Sequence, residues 1–292
     1  MRGERARLLV LRALGLPVAA LVLAVGTGTS DPSAVEYVAL GDSRAAAPDT
    51  EIGSGSDGCG RSGQGYPVHL ARALRPHSFL DVTCAGATSA NVLSADQPTT
   101  DRAGRGHRAR PQISALNAST TLVTISIGGN DLRWFELISS CFPPARTVDA
   151  ACRSDPEARE RIRRRLAELT DKIDADLDAI VARAPRARVV VVGHGGIYGL
   201  DGCSAATFSP LDAAWVADFF GSVDAVLRGQ AHAHHALFVD VRAAAAGHEA
   251  CAPVEQRWFA GNEPSGTTPV RHPTALGGRA IADLIAAALP ER

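Results

Sequence analysis

The stretch TTLVTISIGGNDLRW spans residues 120–134. Residues 120–127 are β-branched or apolar almost without a break, the pattern of a strand buried on both faces. Strands of that kind sit in parallel sheets covered by helices. Similar short runs recur at 35–40 (VEYVAL), 79–83 (FLDVT), 187–192 (ARVVVV) and 236–241 (ALFVDV). Helical patterns lie among them, at 66–75, 155–184, 210–230 and about 276–289. The longest opens with Asp155 as cap and Pro156 in the first turn. Leu166, Leu169, Ile173, Leu177 and Ile180 then recur at helical spacing. Strands alternating with helices predict an α/β fold: a single domain with a parallel sheet of about five strands. Residues 97–111, QPTTDRAGRGHRARP, read as a long polar surface loop, a candidate lid or rim.

The chain has 292 residues, 46% hydrophobic and 21% charged, with a net charge of -1. A balanced charge and few aromatic residues leave no nucleic-acid footprint. Residues 1–12 carry Arg2, Arg5, Arg7 and Arg12 against Glu4. The uncharged run ALGLPVAALVLAV (13–25) follows, then small residues. That is the layout of a secretory signal, and the run is short for a hydrocarbon core of ~30 Å. Residues 1–34 are therefore expected to be a signal peptide with a short N-terminal segment, and 35–292 the domain of a secreted protein. Six cysteines suit an oxidising compartment and allow 15 connectivities. Sequential pairing closes short loops and is the simplest of them. No CxxC occurs, so zinc-ribbon and thioredoxin readings fail.

In an open parallel sheet, ligands bind beyond the carboxyl ends of the strands. Four loops there carry candidate chemistry. LGDSRAAAPD (40–49) places Ser43 just past the first strand, as a nucleophile or merely a helix cap. TCAGATSANV (83–92) offers Gly86, whose bare N–H could serve an anion. GGND (128–131) offers the amide of Asn130, although such a composition is also ordinary in turns. TPVRHPTALGG (268–278) places His272 in a loop before the last helix, where a base for Ser43 could stand. The other eight histidines lack such a context, and His232, His234 and His235 read as a solvated helix end rather than a metal site. The signature G-x-S-x-G is absent, which excludes an α/β-hydrolase elbow.

Taken in order, GDS, the glycine after strand two, GGND and His-Pro before the last helix resemble the SGNH (GDSL-type) hydrolases. CGRSGQGYP (59–67), RPQISAL (110–116) and VTISIGGNDL (123–132) are similar to its secreted actinobacterial esterases and lipases. The resemblance implies a three-layer, flavodoxin-like fold and hydrolysis of carboxylic esters without metal or organic cofactor. It implies Ser43 as nucleophile, His272 as general base, and an oxyanion hole from Ser43, Gly86 and Asn130. It implies the sequential disulfides Cys59–Cys84, Cys141–Cys152 and Cys203–Cys251. The substrate is expected to be a small-molecule or lipid ester, met by a monomer in contact with lipid surfaces, with the sheet edge and the 97–111 loop lining an acyl groove. Cell-wall polysaccharide acetyl esters, or a non-catalytic binding protein on the same fold, are the alternatives. Two positions depart from the family's pattern. Arg44 follows the serine where Leu or Tyr is usual. Pro269 stands where an acid normally orients the histidine, so the carbonyl of Pro269 or a neighbour is expected to do so, with Glu263 as the alternative.

Overall fold

The computed structural model describes residues 35–50, 56–145 and 148–290. The expected signal segment lies outside them. No helix among the described residues is long and apolar enough to cross a membrane.

Among the described residues, seven strands form in chain order: β1 (Glu36–Gly41), β2 (Ser78–Asp81), β3 (Gln97–Thr100), β4 (Gly106–Ala109), β5 (Leu122–Ser126), β6 (Arg188–Val192) and β7 (Leu237–Val239). Helices α1 (Ser43–Ala46), α2 (Tyr66–Leu74), α3 (Ser89–Leu93), α4 (Gly129–Leu132) and α5 (Trp134–Ile138) lie between β1 and β6. Helices α6 (Pro156–Arg183), α7 (Pro210–Ala233), α8 (Val241–Ala244) and α9 (Ala275–Ala288) complete the set.

Five strands form one parallel sheet in the order β2-β1-β5-β6-β7. That is the flavodoxin-like order, whose direction switches between the first strand and its inner neighbour. Here the switch lies between β1 and β5, paired in register from Tyr37↔Leu122 to Gly41↔Ser126. Every residue of β5 is buried, as its unbroken β-branched run requires. Edge strand β2 leaves Phe79 and Leu80 largely exposed. Two helical layers, α2 on α9 and α6 on α7, cover the sheet and complete three layers. Helix α6 starts where its cap predicts: Asp155 accepts from the N–H groups of Glu157 and Ala158.

Residues 97–111 are not a plain loop. β3 and β4 pair antiparallel into a hairpin. Asp101 shapes its turn by accepting from the backbone of Ala103 and Arg105, both at 2.9 Å, while also pairing with the Arg105 and His107 side chains. The strands alternate half-buried and exposed but are polar on both faces. No apolar alternation marks them in the sequence.

Three disulfides join Cys59 to Cys84, Cys141 to Cys152 and Cys203 to Cys251. The first anchors the loop after β2, where Ala85 N–H also donates to the Cys59 carbonyl at 2.8 Å. Of the histidines at the end of α7, His234 meets carboxylates, its Nε2 lying 2.9 Å from Asp174 and its Nδ1 3.5 Å from Asp178.

Candidate active site

The end of β1 is gripped from three sides. Gln112 donates to the Gly41 carbonyl at 2.9 Å and accepts from its N–H at 2.7 Å. Cys84 N–H donates to the same carbonyl at 3.0 Å. The chain then turns directly into α1. Asp42, not Ser43, is the cap: its carboxylate accepts from Arg44 N–H at 2.9 Å. Burial pushes the Asp42 carboxyl up to about 6, against the Arg44 N–H and charge, which pull it down. Ser43 is thus the first helical residue, a position whose N–H has no intrahelical acceptor. Neither that N–H nor the hydroxyl has a hydrogen-bond partner among the described residues.

Gly86 lies in the loop after β2 with φ of 83°, a left-handed conformation that a side chain would strain. Its N–H is likewise without an acceptor among the described residues, while the neighbouring Ala87 N–H turns back to the Cys84 carbonyl. Asn130 opens α4 beyond β5, next to the switch point. One of its two amide hydrogens is committed to the Ala87 carbonyl at 2.8 Å. This fixes the side chain and leaves the second hydrogen available. Ala87 follows Gly86, so the same bond ties the GGND turn to the loop after β2.

His272 lies in the segment between β7 and α9. Ala260 N–H donates to the His272 carbonyl at 3.0 Å, and Phe259 forms a β-bridge with Pro273. His272 Nδ1 donates to the carbonyl of Val270 at 2.7 Å. A carbonyl can only accept, so Nδ1 carries the proton and Nε2 of the neutral ring is a free base. Burial chiefly lowers the proton affinity of this ring; the Val270 contact raises it, and Arg44 and Arg271 lower it further. The orienting carbonyl belongs to Val270 rather than Pro269, because the turn at Arg271 folds the ring back over two residues. Glu263 plays no part in this: it is exposed and accepts from Ser204 Oγ at 3.2 Å.

Ser43, Asn130 and His272 line one cleft of about 400 Å³, together with Asp42, Arg44, Gly129, the segment Arg133–Glu136, His194, Val270 and Arg271. The 97–111 hairpin contributes no residue to this lining. It reaches the site indirectly, through Gln97, which donates to the Ala85 carbonyl at 2.7 Å beside Gly86. The aromatic wall comes instead from α5, where Trp134 packs edge-on against Phe220 with ring centres 5.3 Å apart.

His194 is a cleft residue that the sequence reading passed over. It follows β6 in GHGG, and its ring lies parallel to Phe220. Burial and the Arg44 charge hold it well below the usual histidine range. Its backbone N–H donates to buried Asp224 at 2.8 Å. A Cβ on Gly129 would overlap His194 Nε2, so this glycine is required for the ring to reach the cleft.

A model of the GDSL-like Lipase/Acylhydrolase family matches residues 39–280. The chain belongs to this family. It is an ester hydrolase. Among curated relatives of the family, it is 32% identical to a lipase of Streptomyces rimosus over 84% of this chain and 82% of the relative. Two solved structures match 88% of the chain and 100% of their own length, each with a TM-score of 0.66. They are an extracellular lipase from Streptomyces rimosus at 30% identity and a phospholipase A1 from Streptomyces albidoflavus NA297 at 27%.

Proposed function

We propose that this protein is a secreted lipase or esterase that cleaves carboxylic esters through an acyl-enzyme on Ser43. The observation that carries this reading is the convergence of Ser43 and a tautomerically fixed His272 on one cleft. His272 Nε2 takes the Ser43 proton as Oγ attacks the ester carbonyl. The oxyanion of the tetrahedral intermediate accepts hydrogen bonds from Ser43 N–H, Gly86 N–H and the second Asn130 amide hydrogen. Collapse breaks the ester C–O bond, and the His272 proton leaves with the alcohol. Water then repeats the sequence on the acyl-Ser43 ester and releases the acid. Ser43 and His272 share no hydrogen bond among the described residues, and such contacts commonly tighten only around substrate.

Substrate is expected to lay its acyl chain along the Trp134–Phe135 wall. Secretion is supported by the basic and apolar N-terminal pattern and by the extracellular lipase among its structural relatives. The test is hydrolysis of p-nitrophenyl esters of increasing chain length by the secreted protein, beside a Ser43→Ala control. Turnover of medium or long acyl chains that Ser43→Ala abolishes is expected. Turnover of acetyl esters alone would point to polysaccharide acetyl esters, and full activity in Ser43→Ala would overturn the assignment.

A further inference from the structure

Five charged side chains line the cleft: Asp42, Arg44, Arg133, Glu136 and Arg271. They are not equivalent. Asp42 is spent on capping α1. Arg133 and Glu136 neutralise each other, with Nε at 3.0 Å and Nη2 at 2.6 Å from the carboxylate. Two guanidinium groups remain with no carboxylate in ion-pair contact among the described residues.

The first is Arg44. It is 6% exposed, donates from Nη2 to the Gly195 carbonyl at 3.3 Å, and lies 5.1 Å above the Phe259 ring. Its Nε and Nη1 are buried with no acceptor. The second is Arg271, which immediately precedes His272. Its φ of 65° is a conformation that non-glycine residues adopt only when the surroundings impose it. The surroundings here are explicit. Its guanidinium lies 3.3 Å above the Phe135 ring, and Nε donates to Asn262 Oδ1 at 3.0 Å. That oxygen is itself fixed by the Tyr198 hydroxyl at 2.6 Å. Among the described residues, neither terminal nitrogen of Arg271 has a hydrogen-bond acceptor within 3.5 Å, although the guanidinium acts on the nearby Tyr198 hydroxyl.

A guanidinium clamped on an aromatic face, with its terminal N–H pair unused, is preorganised for a two-oxygen anion. We infer that Arg271 selects substrate: with Arg44 lining the same cleft, it fits the cleft to esters that carry a carboxylate or phosphate a few atoms from the scissile carbonyl. This rests on the assignment of Ser43 and His272 above, because the position of the anion is defined relative to them.

The test compares matched esters in the wild type, Arg271→Met and Arg271→Lys. One arm pairs p-nitrophenyl valerate with the mono-p-nitrophenyl ester of glutaric acid, placing the anion on the acyl side. The other pairs a 1-monoacylglycerol with the corresponding 1-acylglycerol 3-phosphate, placing it on the alcohol side. In at least one arm, the anionic-to-neutral ratio of kcat/KM is expected to fall roughly tenfold or more in Arg271→Met, with Arg271→Lys intermediate. The arm that responds locates the anion. An unchanged ratio in both arms, or an equal fall for both members of each pair, overturns the inference. If Arg271→Met does not fold, the wild-type ratio must fall as salt rises from about 0.02 M to about 0.5 M; a salt-independent ratio overturns it. Failure to cleave either neutral ester would instead count against the ester-hydrolase assignment of the cleft.

Discussion

His272 is oriented by the backbone of its own loop, Nδ1 donating to the Val270 carbonyl at 2.7 Å. A side-chain acid at this place would hold the ring and also stabilise its charged form. A carbonyl does the first and offers less of the second. The consequence is that no carboxylate substitution should reproduce the loss seen when a triad acid is removed. Glu263→Gln is expected to stay within about twofold of wild type in kcat/KM, because Glu263 is exposed and turned to Ser204. His272→Ala should lose on the order of 10⁴-fold or more in kcat. Initial-rate kinetics on one chromogenic ester measures both.

Acid should inactivate late. Burial, Arg44 and Arg271 together outweigh the Val270 contact and hold His272 below the ordinary histidine value. The acidic limb of kcat/KM is therefore expected below about pH 6.5. Charged or titratable groups around the ring are Arg44 and Asp42 from the α1 turn, Arg271 from its own loop, His194 after β6, and the Arg133–Glu136 pair. Removing one cation should raise the proton affinity of the ring, so Arg44→Met is expected to move the limb to higher pH. A pH–rate profile of both proteins is the measurement.

The amide of Asn130 spends one hydrogen on Ala87 and keeps the other for the cleft. Asn130→Ala should lower kcat by roughly 10²–10³ with a smaller effect on KM, since the donor is needed when charge develops on the ester oxygen. An equal effect on kcat and KM, or none, would remove Asn130 from the oxyanion hole.

Asp176 of α6 is buried, accepts from Ser89 Oγ at 2.8 Å, and leaves Oδ1 unpartnered. Burial pushes its carboxyl up to about 7. The folded protein therefore holds this proton over a range in which the unfolded chain, near pH 3.9, has lost it. Stability from this group is complete below about pH 4 and is lost as pH rises toward 7. Asp176→Asn cannot ionise, so its Tm relative to wild type should climb by at least about 2 °C between pH 4 and pH 8. Thermal melts across that range decide it.

Legibility in the sequence followed the physics of each element. Runs of mostly apolar or β-branched residues marked β1, β5 and β6 because burial on both faces favours such side chains. The Asp155–Pro156 start marked α6 because caps are local chemistry. Hairpin β3–β4 was hidden because its strands are polar on both faces and are held by the turn carboxylate of Asp101. Ser43, Asn130 and His272, which line the cleft, and Gly86, which is not among its lining residues, stood out as loop residues at strand ends. His194 did not, since only the packed position of Gly129 shows that its ring reaches the same place. The positive φ of Arg271 leaves no trace in composition at all. The expected orienter, the carbonyl of Pro269 or a neighbour, is that of Val270, because that turn decides which oxygen faces the ring.

Ser43 and His272 lie at opposite ends of the described chain, the one just after β1 and the other just before α9. A polypeptide leaves the ribosome, and enters an export channel, amino end first. On the proposed assignment, the serine turn exists long before its base, and the two meet only when the loop held by the Phe259–Pro273 bridge has formed. On that assignment the enzyme is latent by topology throughout its synthesis. It gains the power to cut esters only once the last loop has docked.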